Sequence, residues 1–373
     1  MPTRPFSAWV VASCGLLALA LAMGIGRFAF TPILPMMQDD AGLTVGEGAW
    51  VAAANYLGYL AGAVWTMLQR SRADVAIRAS LLATSAATIA MAYADGLVAW
   101  LVLRFVAGVA SAWTLVHVAS WCAERLGALR RPGLNGVVFA GVGTGIVIAG
   151  SVCLALLLAR ASSREAWLGL GALGIVISAL VWPVLGRDAR TAEAARASSH
   201  RWSADSLRLV ACYGAYGFAY IVPATFLPAM AKEIVRDPLA FGSAWPIFGA
   251  AAVASTLLAG YLLRTFSPRA LWLASALLMA AGVAVPLIIP GLPGILLSAL
   301  LVGGTFVVVT MVGVQEARKV AGETAGALVA AMTAAFAAGQ VLGPLVVGPL
   351  GGFGNALLVA AAVLAASALA LRR

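Results

Sequence analysis

Two arginines stand inside apolar runs that are otherwise long enough to cross a membrane. From Ala8 to Met37, through "GIGRFAFTPILPMM", Arg27 is the only charged residue, and Arg104 lies within the apolar stretch that begins near Leu97. A lone guanidinium at bilayer depth costs about 3 kcal/mol or more unless a partner compensates it. A planar, permanently charged fork suits a carboxylate or phosphate, which it holds through parallel hydrogen bonds. No Asp or Glu falls in the middle of an apolar segment: Asp39, Asp40, Glu47, Glu124 and Glu316 sit at segment ends. The missing counterion is then an anionic substrate. The structural alternative has Arg27 bonded to carbonyls freed by Pro32 or Pro35, and Arg104 snorkelling or locking the backbone.

Other polar side chains could complete a site for such a substrate. Asn55, Tyr56 and Tyr59 fall in the second apolar segment, His117 in the fourth, Thr305 and Thr310 in the tenth, and Gln340 in the eleventh. Tyr213, Tyr216 and Tyr220 in the seventh share one helical stripe by their spacing. Packing or interfacial anchoring would explain the same stripe. His117 is the ionisable group near neutral pH that lies deep in a segment, so it is the candidate for a coupling proton; the alternative is a neutral imidazole bonded to a neighbour.

The elements that must position these residues follow from composition. The chain is 62% hydrophobic and 10% charged, against about 25% charged in an ordinary soluble domain, so an integral membrane protein is expected. Twelve apolar segments suit spanning helices: 8–37, 48–69, 75–94, 97–122, 133–159, 165–186, 205–231, 239–263, 270–289, 292–316, 322–349 and 352–371. Pro32 and Pro35 should kink the first, and Pro223 and Pro228 the seventh.

The formal charge of +10 is a topology signal. With a cytoplasmic N-terminus, 18 of the 24 basic residues fall on the cytoplasmic side and four, Arg160, Arg164, Lys232 and Arg236, on the other. This is the positive-inside pattern, and it argues against nucleic acid as a partner. Arg4, the apolar core and Ala18-Leu19-Ala20 could suggest a cleaved leader, but the apolar stretch outruns a leader's core. The four cysteines lie within or at the ends of segments without ligand spacing and are expected to pack.

The longest polar break, 186–205, divides the chain into an N-terminal half (1–186), a cytoplasmic linker (187–204) and a C-terminal half (205–373). An offset of 195 pairs Trp50 with Trp245, and an offset of 193 pairs Leu34-Pro35 with Leu227-Pro228. Parallel repeats of this kind place a substrate site near the midplane between the halves. Gly136, Gly141 and Gly145 on the fifth segment, and Gly339 and Gly343 on the eleventh, offer close helix contact, static or sliding. Glu124-Arg125 and Glu316-x-Arg318 end the fourth and tenth segments, and Arg70, Arg72 and Arg264 lie at the same cytoplasmic level. These charges are expected to form a gate that pairs when the cavity opens outward.

An enzyme is not expected: the chain has no HExxH, G-x-S-x-G or P-loop and no paired carboxylates within segments. Neither a cofactor nor a metal is expected. The partners expected are a small-molecule substrate, the coupling proton and membrane lipids, with the chain a monomer.

"GIGRFAFTPILPMMQ", "NYLGYLAGA" (Asn55 to Ala63), "LRFVAGVASAW" (Leu103 to Trp113), "FAGVGTGI" (Phe139 to Ile146), "YGFAYIVPATFLPAMA" (Tyr216 to Ala231) and "GQVLGPL" (Gly339 to Leu345) together resemble the YbfB/YjiJ-type branch of the major facilitator superfamily. The resemblance implies the major facilitator fold: all-α, with twelve transmembrane helices in two pseudo-symmetric six-helix bundles, working by alternating access in a bacterial cytoplasmic (inner) membrane. It also implies that the first and fourth helices line a central cavity, where Arg27 and Arg104 would converge. The superfamily's acid after the second span is missing: Thr66 stands where it would sit, and only Arg70 and Arg72 remain. The second half keeps Gly260, Arg264 and Arg269 without the acid, and the fifth segment lacks the Gly-Pro of antiporters. Transport of a small organic anion is the favoured function, with export of hydrophobic or cationic compounds as the alternative.

Overall fold

The computed structural model describes residues 6–68, 72–185 and 202–372. Its helices are α1 (Ala8–Leu19), α2 (Phe30–Asp40), α3 (Val45–Leu68), α4 (Ala73–Met91), α5 (Leu97–Ala128), α6 (Asn135–Leu158), α7 (Ser163–Leu185), α8 (Ala204–Ile234), the single turn α9 (Pro238–Gly242), α10 (Ala244–Leu262), α11 (Pro268–Ile288), α12 (Leu292–Ala321), α13 (Ala325–Leu345) and α14 (Phe353–Leu371). Eleven helical stretches among the described residues are long and apolar enough to cross a membrane, one of them running from Ala8 to Asp40. The 24-residue α3, which carries Asn55, Tyr56 and Tyr59, is outside that count.

Helix pairing repeats along the chain. Before residue 186, α1 packs on α6 and α7, α3 on α5, and α4 on α5 and α7. After residue 203, α8 packs on α13 and α14, α10 on α12, and α11 on α12 and α14. The two groups meet where α6 lies against α10, α3 against α13 and α2 against α8. In lipid, such contacts come from close backbone approach at small residues. A Cβ on Gly145 would come 2.2 Å from the Ala20 carbonyl, and one on Gly339 2.4 Å from that of Gly214, with both partners 194 residues further on. Gly108 against the Asn55 carbonyl (2.0 Å) is echoed by Gly303 against that of Phe248 (2.3 Å).

Some sequence matches do not share a structural role. Trp50 is 57% exposed, whereas its offset partner Trp245 is fully buried. Gly141 and Gly145 face α1 and the turn after it, in their own group. Contacts across the groups include Gly143, on the other side of α6, against Gly249 of α10, and Gly150 against Pro246. Gly136 faces open space. All four cysteines are buried and unpaired.

Candidate functional site

The first membrane segment breaks, and the break is earlier than its prolines. Between Ala20 and Ile25 the helix widens to a π turn: the Gly26 amide donates to Leu21 O (2.8 Å) and the Phe28 amide to Met23 O (3.1 Å), each five residues back. Pro32 supplies no amide for Phe28 O, and the Thr31 amide turns to that carbonyl instead (3.2 Å). The carbonyls of Ala22, Gly26 and Arg27 are thereby left pointing sideways in a stretch where lipid offers no donor. Each is taken by a side chain from a neighbouring helix. Ser111 Oγ donates to Ala22 O (2.7 Å), Arg104 Nη1 to Gly26 O (2.9 Å) and Arg104 Nη2 to Arg27 O (2.6 Å). Asn55 Nδ2 donates to Arg104 O (2.9 Å) and reaches Gly26 O (3.4 Å).

The two buried arginines therefore differ in use. Arg104 spends both terminal nitrogens on backbone, and its guanidinium lies over the Phe30 ring (5.5 Å). Arg27 projects from the broken turn into the contact between the two helix groups and is 2% exposed. Its Nη2 donates to Gln340 Oε1 on α13, and Gln340 Nε2 donates to the Tyr220 hydroxyl on α8. Because arginine carries only donors, the amide oxygen must face it, which leaves the amide nitrogen for Tyr220. Aromatic rings surround the cation: its Cζ lies 4.0 Å from the Tyr59 centroid, 5.3 Å from Phe28, 5.4 Å from Tyr56 and 6.0 Å from Phe336. Among the described residues no carboxylate pairs with Arg27, and its Nε has no partner. Ring faces and a neutral amide offset part of the desolvation cost of a buried cation, at about 0.5–2 kcal/mol per ring.

Other cross-group bonds surround this centre. Pro228 has no amide for Ala224 O, and Thr31 Oγ1 of α2 donates to it across the groups (2.9 Å). The Tyr56 and Thr225 hydroxyls lie 3.0 Å apart. Where α2 and α8 end, Lys232 Nζ pairs with Asp39 Oδ1 (2.5 Å) and donates to Pro35 O (2.8 Å). Among the described residues α5 and α12 make no contact comparable to that of α2 with α8.

A family model described as "Uncharacterised MFS-type transporter YbfB" matches residues 19–372. The chain belongs to this family. It is thus a multi-pass helical membrane protein of an MFS-type transporter family, a class of transporters rather than enzymes. Among curated proteins, none matches it.

Several side chains of this MFS-type transporter make no hydrogen bond to Arg27 or Gln340 among the described residues. His117 is buried with Nδ1 2.8 Å from Trp113 O, and thirteen residues along α5 from Arg104 it lies about 20 Å away at 1.5 Å per residue. The Tyr216 hydroxyl donates to Phe306 O (2.5 Å) and lies 3.0 Å from the Thr310 hydroxyl, tying α8 to α12. Thr305 bonds its own helix. Sequence reasoning passed over Thr31, Thr225, Ser111, Phe28 and Phe336. Thr31 and Thr225 had a usable signal, since each lies within three residues of a proline that frees a carbonyl; Phe336, in an alanine-rich run, had none.

The expected gate charges are distributed differently from the sequence reading. Glu316 is not an end-of-helix surface acid but a buried residue of α12, 3% exposed, and it pairs within its own group with Arg269 (3.1 Å). Arg269 also holds Asp205 (2.7 Å), which Arg208 meets at 2.9 Å. Arg72 pairs with the buried Asp74 in the first turn of α4 (3.2 Å), so an acid is present, eight residues after Thr66. Arg264 lies over the Tyr261 ring (5.7 Å), Glu124 is exposed, and Arg70 lies outside the described residues. Among the described residues, the charge pair that joins the two groups is Lys232 with Asp39. It is half-exposed and worth about 0–1 kcal/mol, so Lys232→Ala should loosen that end by a factor of about five at most. The readout is maleimide labelling of an Ala224→Cys variant, whose residue is buried at this contact. An unchanged labelling rate would show that the pair is not a latch.

Proposed function

We propose that this MFS-type transporter is a secondary active transporter that carries a small organic anion across the cytoplasmic membrane by alternating access. The observation that carries the reading is Arg27: a guanidinium buried between two helix groups, ringed by aromatics, held by a neutral glutamine and facing no carboxylate among the described residues. An arriving carboxylate takes the place of Gln340 Oε1 and accepts from Arg27 through two parallel bonds. Breaking the Arg27–Gln340 bond loosens one of the links between the groups, so cargo binding and rearrangement are coupled at one residue pair.

Twelve helices in two six-helix bundles, 1–186 and 205–373 joined by 187–204, suit the repeated helix pairing and the paired glycine contacts. The excess of basic residues at the ends nearer the termini favours cytoplasmic termini. With that orientation, α2 packed on α8 and the Lys232–Asp39 pair belong to a protein closed on its outer side. Glu124, Arg70, Arg72, Arg264 and Glu316 are then the cytoplasmic charges whose pairings change as that side closes, with Glu316 exchanging Arg269 for a partner in the first bundle. Asn55, Tyr56, Tyr220 and Gln340 attend the cargo, Arg104 and Tyr216 hold the elements that present it, and His117 is the residue for a coupling proton. Proteoliposomes containing the protein should accumulate a labelled organic carboxylate from a mixed panel. Accumulation of lipophilic cations with no carboxylate uptake would instead mark an exporter of cationic compounds.

A further inference from the structure

Many helix contacts in this protein close on glycine, but around Arg27 large rings face each other across the two groups. Phe28, next to Arg27, meets Phe306 edge-on (6.0 Å) and Trp245 (6.2 Å). Phe336 of α13 faces the Arg27 guanidinium (6.0 Å) from within its own group, packed on Tyr216 and Tyr220. Behind these, Tyr220 is stacked nearly parallel to both Phe306 (5.6 Å, 9°) and Phe336 (5.8 Å, 11°), and Trp245 is stacked on Phe248 (4.8 Å, 19°). The rings that must part to admit a cargo at Arg27 are therefore Phe28 from one group and Phe306, Trp245 and Phe336 from the other. Phe28, Phe306 and Trp245 each lose an aromatic partner when the contact opens, and Phe336 loses the guanidinium. An aliphatic acid restores the charge partner alone, whereas a flat ring restores ring contact on both walls.

Resting on the anion reading above, we propose that the cargo is an aromatic carboxylate: a planar ring held between Phe28 and the Phe306–Trp245–Phe336 wall, with its carboxylate on Arg27. Tyr220 supports this assignment, because it already places a phenol between two parallel rings with its oxygen on the amide that leads to Arg27. A positively charged aromatic meets the buried guanidinium and is refused.

The test uses the purified full-length protein in detergent, with melting temperature and tryptophan fluorescence as readouts. The probes are benzoate and phenylacetate, propionate and succinate, and benzamide and benzylammonium. Benzoate or phenylacetate should bind about tenfold or more tightly than propionate or succinate, since each ring contact is worth about three- to tenfold. Arg27→Lys should weaken the aromatic acids about tenfold, and Phe28→Leu or Phe336→Leu should shrink their advantage over the aliphatic acids. If aromatic and aliphatic acids bind equally and both depend on Arg27, the aromatic class is overturned and the anion reading stands. If benzamide or benzylammonium binds as tightly as the acids, or if none of the six probes binds, both are overturned. The comparison of probes on the unaltered chain decides the matter even where a leucine variant fails to fold.

Discussion

Arg27→Ala is expected to abolish uptake of the anionic cargo without unfolding the protein. The substitution removes a buried cation that bonds a neutral amide and pairs with no carboxylate among the described residues, so it leaves no stranded counter-charge there. It strands the buried acceptor Gln340 Oε1, at about 1–3 kcal/mol, but relieves the desolvation of a buried cation, which costs several kcal/mol. Arg27→Met, which fills that volume, should melt at or above the temperature of the unaltered protein and be equally inactive. Arg27→Lys keeps the charge but not the fork, and should weaken binding by about 1–3 kcal/mol. Proteoliposome uptake together with melting in detergent checks all three. Uptake by Arg27→Ala at the unaltered rate would remove Arg27 from the cargo site.

Arg104→Ala should do the reverse and damage the fold first. Arg104 Nη2 is the donor to Arg27 O, while Gly26 O retains Asn55 at 3.4 Å. An unsatisfied carbonyl at membrane depth costs about 1–3 kcal/mol, and the lost packing over Phe30 and Trp167 adds to that. The melting temperature should fall and the yield of folded protein should drop. Asn55→Ala should show a smaller loss, and the double variant should lose more than the sum of the two, because the pair share Gly26 O as acceptor. Arg104→Lys, with one short donor head in place of a fork, recovers only part of the stability. If Arg104→Ala instead melts normally and only fails to transport, Arg104 touches cargo and its backbone bonds are incidental.

Much of this was legible in the sequence, for a physical reason. Whether a segment belongs in lipid is a sum over its own residues, so 62% hydrophobic composition and the distribution of Arg and Lys read directly as a multi-pass membrane protein. The oddity of Arg27 was equally local: one charge in an apolar run has to be accounted for wherever the helix goes. The first-segment residues "GIGRFAFTPILP" also carried the family, to which the chain belongs over residues 19–372.

Tertiary structure decided how each polar group is spent. Arg27 and Arg104 look alike in sequence, yet one is consumed by carbonyls 77 and 78 residues away and the other faces Gln340, 313 residues away. Glu316 finds Arg269 and not Arg264, and the first segment breaks at a π turn N-terminal to its prolines. Those outcomes depend on how each helix is rotated about its axis. Where nearly every side chain is apolar, as along Ala8–Leu19 or Asn135–Leu158, no amphipathic stripe records that rotation in the sequence. Close contacts such as Gly145 against Ala20 fix it instead, and only they determine which carbonyl meets which donor.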